Sequence, residues 1–208
     1  MNVQIVVIAK APVPGRVKTR LCPPCTPDQA ARIADAALTD TLESATAMAA
    51  SRRVLLLDGR YPPPEGWDVV PQRGDGLASR LGHGFADTAL DGAGTLLIGM
   101  DTPQITPVLL NTVVSGLSKA DAVLGQASDG GWWALALRNP AHGAVLAGVP
   151  MSQENTAELT LNALAAQGLK VLPAPRLRDV DTIADLYEVA GQCPHGRFAQ
   201  AVLELELA

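Results

Sequence analysis

The stretch from Val3 to Leu21 constrains the fold of this chain more than any other part of its sequence. It opens with an uninterrupted apolar run, Val3 to Ala9, that is rich in β-branched residues. Such a run predicts a strand that is buried on both faces and therefore lies inside a sheet. The chain then leaves the predicted strand through Pro12, Pro14 and Gly15, residues that are typical of a turn.

This turn lies within a basic segment that contains Lys10, Arg16, Lys18 and Arg20, four cations in eleven residues of a chain whose net charge is −5. Backbone N–H groups in a tight turn form a concavity that binds anions, and lysine and arginine neutralise the bound charge. The segment therefore predicts a phosphate-binding loop in which Gly15 makes the turn. The alternative is a basic surface loop that faces solvent.

Two common phosphate motifs are excluded at this loop. A Walker A loop requires glycine directly before Lys-Ser/Thr, whereas Val17 precedes Lys18 and Thr19 here. A dinucleotide fingerprint requires three spaced glycines, and this loop contains only Gly15. The loop therefore supports neither a P-loop NTPase nor an NAD-dependent enzyme.

The composition indicates one domain over residues 1–208, since 208 residues of which 48% are hydrophobic are enough for one sizeable core. An isoelectric point near 5.1 argues against nucleic acid as a partner. The basic loop instead favours a small anionic ligand. No secretory signal and no run long enough to cross a membrane is found in the sequence, so we expect a cytoplasmic protein.

The three cysteines raise the question of a structural zinc site. Cys22 and Cys25 form a C-x-x-C pair that Cys193 and His195 could complete as a zinc site. A lone C-x-x-C is weak evidence and the second pair is remote, so the pattern favours an ordinary loop without a redox role. The sequence does not decide whether these four residues bind a metal.

Strand and helix patterns alternate along the chain, which predicts an α/β fold with a mostly parallel, mixed sheet covered by helices. Thr26, Pro27 and Gln29 form the signature of a capped helix start. Strands are predicted over residues 3–9, 53–57, 67–70, 95–99, 121–125, 132–137 and 170–173. Helices are predicted from residue 27, and over 77–85, 107–117, 157–167, 183–190 and 197–205.

Carboxylates follow several of the predicted strands. Asp101 comes just after a buried strand, where open α/β sheets bind ligands, and this position predicts a metal ligand. Asp129 lies in a glycine-rich loop, and Asp181 precedes a helix. Mg²⁺ takes one or two carboxylates together with phosphate oxygens, so the pattern fits metal-assisted chemistry on a nucleotide. Asp179 and Asp185 are instead interpreted as turn or cap residues.

The start of the predicted helix after Gly76 carries three further candidates. Arg73, Arg80 and His83 could reach a ligand from this position, or could face solvent. Leu77, Leu81 and Phe85 are predicted to lie on one face of the helix.

Five motifs occur in order along nearly the whole chain: AKAPVPGRVKTRL, GDGLASRLGHGF, GMDTPQI, SDGGWWALAL and DVDTIADL. Together they resemble an uncharacterised bacterial family that has the GT-A, nucleotide-diphospho-sugar transferase fold, a three-layer sandwich. This family is related to molybdenum cofactor guanylyltransferases and to 2-phospho-lactate guanylyltransferase. Its members are described as glycosyltransferases or nucleotidyltransferases on the basis of their fold.

The resemblance implies a role for each matching residue. Lys18 and Arg20 match the loop that holds nucleotide phosphates, and Lys18 is thereby implied in catalysis. Asp101 matches the acidic residue that binds Mg²⁺ or Mn²⁺, and Asp181 the carboxylate that completes the metal site. Asp129 matches the loop near the acceptor, also with a catalytic role.

Two departures from the relatives' pattern limit what the resemblance implies. The first loop lacks the Gly-Gly start of molybdenum cofactor guanylyltransferases, so a preference for guanine does not carry over. Asp101 lies in GMDTP rather than in a D-x-D motif, which leaves the second metal ligand undefined.

Three functions follow from these observations. The first is transfer of a nucleotidyl group from an NTP to a small phosphorylated or hydroxylated acceptor, since a basic loop suits the charge of a triphosphate. The second is glycosyl transfer from an NDP-sugar. The third is nucleotide binding without catalysis, which metal ligands that lie far apart would favour.

Overall fold

The buried run at the start of the chain forms the first of seven strands in a single sheet. The computed structural model describes residues 2–205. Its strands are β1 (Asn2–Lys10), β2 (Arg53–Asp58), β3 (Asp68–Pro71), β4 (Ala93–Gly99), β5 (Ala122–Ala127), β6 (Trp132–Leu137) and β7 (Val171–Leu177). They lie in the order β3-β2-β1-β4-β6-β5-β7.

Strand β1 lies inside this sheet, parallel to both of its neighbours. Val6 is opposite Val54 of β2 on one side and Leu97 of β4 on the other. Strand β6 is antiparallel to β4 and to β5, and the other strands run in the direction of β1. The predicted mostly parallel, mixed sheet is therefore confirmed.

Alternate side chains of β1 are buried on opposite faces of the sheet. Val3, Ile5 and Val7 belong to one hydrophobic cluster and Val6 to the other. The polar residue of the strand, Gln4, is fully buried and donates hydrogen bonds from Nε2 to Thr88 O at 2.7 Å and to Thr95 Oγ1 at 2.9 Å. The prediction that this strand is buried on both faces is therefore confirmed.

The helices begin close to their predicted starts. They are α1 (Pro27–Ala47), α2 (Gly76–Thr88), α3 (Pro107–Gly116), α4 (Thr156–Ala166), α5 (Ile183–Gln192) and α6 (Arg197–Leu203). The predicted capping box at α1 is present, since Thr26 Oγ1 accepts from Gln29 N at 3.2 Å and Thr26 N donates to Gln29 Oε1 at 2.7 Å. No helix among residues 2–205 combines the length and apolar character needed to cross a membrane.

Helices cover both faces of the sheet and form a three-layer sandwich. Helices α1 and α3 pack on one face through residues such as Leu38 and Leu110, and α2 and α4 pack on the other through Phe85 and Leu164. The opposite side of α1 is buried against α5 and α6, with Ile33 in the same cluster as residues of both helices. The helices leave the carboxyl ends of the parallel strands uncovered.

Two short 3₁₀ helices, Thr19–Leu21 and Pro140–Gly148, were not predicted. The second packs on α2, and Gly143 lies so close that an added Cβ would overlap Phe85. Its sequence, PAHGAVLAG, consists largely of small residues, so it lacks the 3.6-residue apolar periodicity from which a helix is predicted. The position of this segment is therefore fixed by a close contact between the backbone at Gly143 and the side chain of Phe85.

Strand β7 is longer than predicted. It continues through Pro173 and Pro175 to Leu177, paired on one side with β5. Proline donates no backbone hydrogen bond and is therefore tolerated on an edge strand. This extension brings the following residues to the carboxyl edge of the sheet.

We predict that Gly143→Ala lowers the free energy of unfolding by about 1–3 kcal/mol, because the new methyl group must displace Phe85. Gly148→Ala is the matched control, since it adds a methyl group to the same 3₁₀ helix where no heavy atom lies within 4 Å. Urea denaturation of both variants measures the difference. Equal stabilities would show that the helix shifts to accommodate the methyl group.

Candidate active site

A cleft of about 690 Å³ lies at the carboxyl ends of the parallel strands. Its walls come from the loop after β1, the end of β4, the start of α2 and the loop between β5 and β6. Because β6 is antiparallel, its first residue, Trp132, lies at the same edge as the ends of its neighbours. Residues 151–153 and the chain after β7 complete the cleft.

The cleft brings together nearly all the residues that the sequence singled out. Those that line it are Lys10, Arg16, Lys18, Arg20, Arg80, Asp101, Asp129 and Asp181. Gly15 makes an exposed turn with φ of 74° beside the cleft but outside its lining. Arg73 pairs with Asp87 at 2.5 Å and His83 bonds to Arg73 O, so neither reaches the cleft.

Lys18 does not project freely towards a ligand. Its Nζ lies 2.5 Å from Asp101 Oδ1 and also donates to Val180 O. The side chain of Lys18 is only 8% exposed, whereas that of Asp101 is 47% exposed. Val180 N in turn donates to Asp101 O at 2.9 Å. Lys18 thus joins the loop after β1 to the end of β4 and to the chain after β7.

Arg20 is paired as well. Its guanidinium donates to Asp181 Oδ2 at the surface of the cleft. The two cations expected to hold phosphate are therefore bonded to the two carboxylates expected to hold a metal. A phosphate that binds Lys18 or Arg20, or a metal that binds Asp101 or Asp181, must therefore replace an existing ion pair.

The cations that are available for a ligand are Lys10 and Arg16. Within residues 2–205 neither side chain has a hydrogen-bond or ion-pair partner, and both are exposed at the cleft. Beside them Arg80 Nη1 donates to Asp58 Oδ2 at 2.6 Å. That bond, together with the charges of Arg80, Lys10 and Arg16, lowers the pKa of Asp58. Lys10, Arg16 and Arg80 form the cationic half of the cleft.

Asp179 was predicted to be a turn or cap residue, but it lies in the wall of the cleft. Burial, and next the nearby charge of Asp129, raise its pKa to about 6, with Asp101 adding to the effect and Lys18 opposing it. The cap role belongs to Thr182 and Asp185, whose side chains form the capping box of α5. The cap interpretation is confirmed for Asp185 and is wrong for Asp179.

The loop that carries Asp129 is fixed against residues 151–154. Asp129 Oδ1 accepts a hydrogen bond from Gly131 N at 2.7 Å, which leaves Oδ2 free of partners among the described residues. Gly130 has φ of 91°, and an added Cβ would overlap Glu154 O. Ala157 N donates to Gly130 O at 2.9 Å. Only glycine fits at position 130.

Apolar side chains line part of the cleft. Leu77 shares the predicted helical face with Leu81 and Phe85, which are buried, but it is itself 45% exposed and lines the cleft with Trp132 and Met151. The sequence missed this role because Leu77 has the same helical spacing as the buried Leu81 and Phe85.

The cysteines lie away from the cleft, in the cluster formed by α1, α5 and α6. All three are free thiols, and burial, with the charge of Asp40 adding to it, raises the pKa of Cys193 to about 11. His195 lines a separate depression beside α6. Nowhere in residues 2–205 do three or more His, Cys, Asp or Glu side chains form a group arranged to hold a metal ion.

Solved structures of other proteins share the architecture of this chain. A Desulfovibrio desulfuricans G20 protein, provisionally described as a nucleotide-diphospho-sugar transferase, matches with a TM-score of 0.87 and 25% identity, over 98% of this chain and 95% of that one. CMP:2-keto-3-deoxy-manno-octonic acid synthetase, solved with CTP, matches with a TM-score of 0.60 and 15% identity, over 99% and 100% of the two chains. The fold is that of the nucleotide-diphospho-sugar transferases.

Sequence comparison then gives the family. Residues 29–153 match the model of a family described as "Uncharacterized protein conserved in bacteria (DUF2064)", and this chain belongs to that family. A relative from Sphaerobacter thermophilus, named phosphoenolpyruvate guanylyltransferase, is 32% identical over 206 residues, which cover 91% of this chain and 95% of the relative. Fold and relatives together identify the protein as a transferase.

We predict that Lys18→Ala lowers both nucleotide affinity and stability. Removing the cation leaves Asp101 and Val180 O without their shared partner, at a cost of about 1–3 kcal/mol. Arg16→Ala should weaken nucleotide binding several-fold without changing stability, because Arg16 has no partner to lose within the described chain. Calorimetry and urea denaturation measure the two effects, and equal stability of both variants would contradict the prediction.

We predict that Asp179→Asn is more stable than the wild type at neutral pH and equally stable in acid. Because folding raises the pKa of this carboxyl from 3.8 to about 6, its ionisation destabilises the folded state as pH rises through that interval. Denaturation at pH values on both sides of the interval, without divalent cations, measures the difference. Asp91→Asn, at an exposed turn, is the control. A difference that does not change with pH would contradict the prediction.

Proposed function

We propose that this protein transfers a nucleotidyl group from an NTP to a small acceptor, with the help of Mg²⁺ or Mn²⁺. The observation that carries the proposal is the division of charge within one cleft. The cationic half, Lys10, Arg16 and Arg80, suits a triphosphate, and the same cleft carries the carboxylates of Asp101 and Asp181, which suit a divalent cation.

The reaction requires only positioning and charge neutralisation from the protein. An acceptor oxygen attacks the α-phosphorus, the bond from that phosphorus to the bridging oxygen breaks, and pyrophosphate leaves with the electron pair. Where the acceptor is a hydroxyl group, its proton passes to the free Oδ2 of Asp129. Lys10, Arg16 and Lys18 stabilise the negative charge on the phosphate oxygens.

The side chains of the cleft suit a hard divalent cation. Carboxylate oxygens of Asp101 and Asp181 would hold it, and nucleotide phosphates would supply further ligands, as Mg²⁺ sites of this kind require. The bound ion would neutralise charge on the phosphates and on the leaving pyrophosphate. Lys18 and Arg20, which pair with Asp101 and Asp181, would then be available to the phosphates.

The Sphaerobacter relative supports nucleotidyl transfer by its name, phosphoenolpyruvate guanylyltransferase. GTP is therefore the first nucleotide to test. Because the first loop lacks the Gly-Gly start of molybdenum cofactor guanylyltransferases, ATP, CTP and UTP should be tested beside GTP.

Glycosyl transfer from an NDP-sugar is the second candidate. The description of the Desulfovibrio structure as a nucleotide-diphospho-sugar transferase favours it. The cationic half of the cleft would then hold a diphosphate, and the sugar would lie towards Asp129.

A thermal-shift screen of the NTPs and of common NDP-sugars, with and without Mg²⁺, separates these candidates. Nucleotidyl transfer predicts that an NTP raises the melting temperature more than any NDP-sugar, and that the shift is larger with the metal present. Release of pyrophosphate on addition of an acceptor then demonstrates the reaction. A larger shift with an NDP-sugar would favour glycosyl transfer.

We predict that Asp101→Asn abolishes the part of nucleotide binding that depends on Mg²⁺, because a neutral amide is a poor ligand for this ion. Binding without Mg²⁺ should remain within a few-fold of the wild type, since Lys10 and Arg16 are unchanged. Calorimetry with and without Mg²⁺ measures both quantities, with Asp91→Asn as the control. Full Mg²⁺-dependent binding by Asp101→Asn would remove Asp101 from the metal site.

A further inference from the structure

The two sides of the cleft differ in charge as well as in position. Residues 127–156 line the cleft at the edge where β5 ends and β6 begins, and β4 separates these strands from β1, which ends at Lys10. We call this part of the cleft the acceptor half. Its lining includes Asp129, Trp132, Met151, Ser152, Gln153 and Thr156. The lining that residues 127–156 contribute includes no lysine, arginine or histidine. A triphosphate therefore binds favourably in the cationic half, and the acceptor half remains for the second substrate.

The backbone of the acceptor half does not replace the missing cations. Helix α4 begins here, but the N–H groups of Thr156 and Ala157 already donate to Gln153 O and Gly130 O. Glu158 adds a negative charge to the same first turn. Arg176 is outside the cleft lining, and its Nε donates to Ala127 O. None of the residues that line this side therefore offers a cationic donor to an anionic group.

The groups that the acceptor half does offer are neutral, apolar or acidic. The side chains of Ser152 and Gln153 are exposed and have no partner within the described chain. Asp129 Oδ2 accepts a hydroxyl or ammonium hydrogen, and Trp132 and Met151 provide apolar contact. An aromatic ring beside a carboxylate attracts cations and neutral polar molecules and repels anions.

We propose that the acceptor is an alcohol without a phosphate or carboxylate group of its own, either uncharged or carrying an ammonium group. The proposal rests on the nucleotidyl transfer proposed above and narrows its acceptor. The alcohol oxygen forms the new bond to the α-phosphorus, pyrophosphate leaves with the electrons of the broken bond, and Asp129 takes the proton. The product is a phosphodiester, not a diphosphate. The acceptor therefore differs in charge from the phosphoenolpyruvate in the Sphaerobacter relative's name.

Matched pairs of acceptors that differ only in charge test this proposal. Glycerol is compared with glycerol 3-phosphate and choline with phosphocholine, and phosphoenolpyruvate is added alone. Pyrophosphate release is measured with the NTP and metal that the thermal-shift screen identifies. Quenching of tryptophan fluorescence in the complex with a non-hydrolysable NTP analogue measures acceptor binding without turnover, because Trp132 and Trp133 both line the cleft.

The uncharged or ammonium member of each pair should be preferred by about ten-fold or more, the difference that one charge-assisted contact makes. Phosphoenolpyruvate should give no saturable quenching. Gln153→Lys adds a cation to an exposed position and should improve binding of the phosphorylated members by about ten-fold, with Gln167→Lys, outside the cleft, as the control.

Preference for a phosphorylated member, or saturable binding of phosphoenolpyruvate to the wild type, would overturn the proposal. So would an unchanged response of Gln153→Lys to phosphorylated acceptors. Failure of every NTP to bind is a different result, because it would refute nucleotidyl transfer itself. The thermal-shift screen detects that failure before any acceptor is added.

Discussion

The contact between Lys18 and Asp101 determines the arrangement of the cleft. Both residues follow buried parallel strands or the loops after them, and Lys18 also bonds to Val180 O in the chain after β7. Three segments that are distant in sequence are thereby held at one edge of the sheet. A lysine this deeply buried needs such partners, because an unpaired charge in the same position would be strongly unfavourable. Lys18 and Arg20 are therefore neutralised by Asp101 and Asp181, whereas Lys10 and Arg16 remain without a partner among residues 2–205.

Much of the fold could be predicted from the sequence because its strongest signals are local. The apolar run of β1 and the capping box at Thr26 each carry their information within a few residues. The short 3₁₀ helix at residues 140–148 and the full length of β7 could not be predicted in the same way. The first depends on the approach of Gly143 to Phe85, and the second on pairing with β5 across an edge that tolerates proline.

The sequence was enough to predict most of the residues that line the cleft. It was not enough to predict which of these residues form ion pairs with one another. Position after a buried strand was enough to place Asp101 at the cleft, and spacing in the first loop was enough for Lys18. Pairing between these residues depends on the order of the strands, which brings β1 beside β4. Asp58 and Asp179 were missed for the same reason. Each looks like a turn residue in the sequence, and only the assembled sheet gives it a charged neighbour.

The reversed direction of β6 has a consequence for how such a protein can change its substrate. The cationic half of the cleft collects residues from segments that are separate in sequence, since Lys10 and Arg16 lie at and after the end of β1 and Arg80 lies in α2. The acceptor half comes mainly from one continuous stretch, since β5 and β6 form a hairpin and the chain returns to the cleft at residues 151–153. In the proposed reaction, recognition of the acceptor would thus be encoded in a contiguous piece of sequence, which could diverge while the cationic half of the cleft stays unchanged.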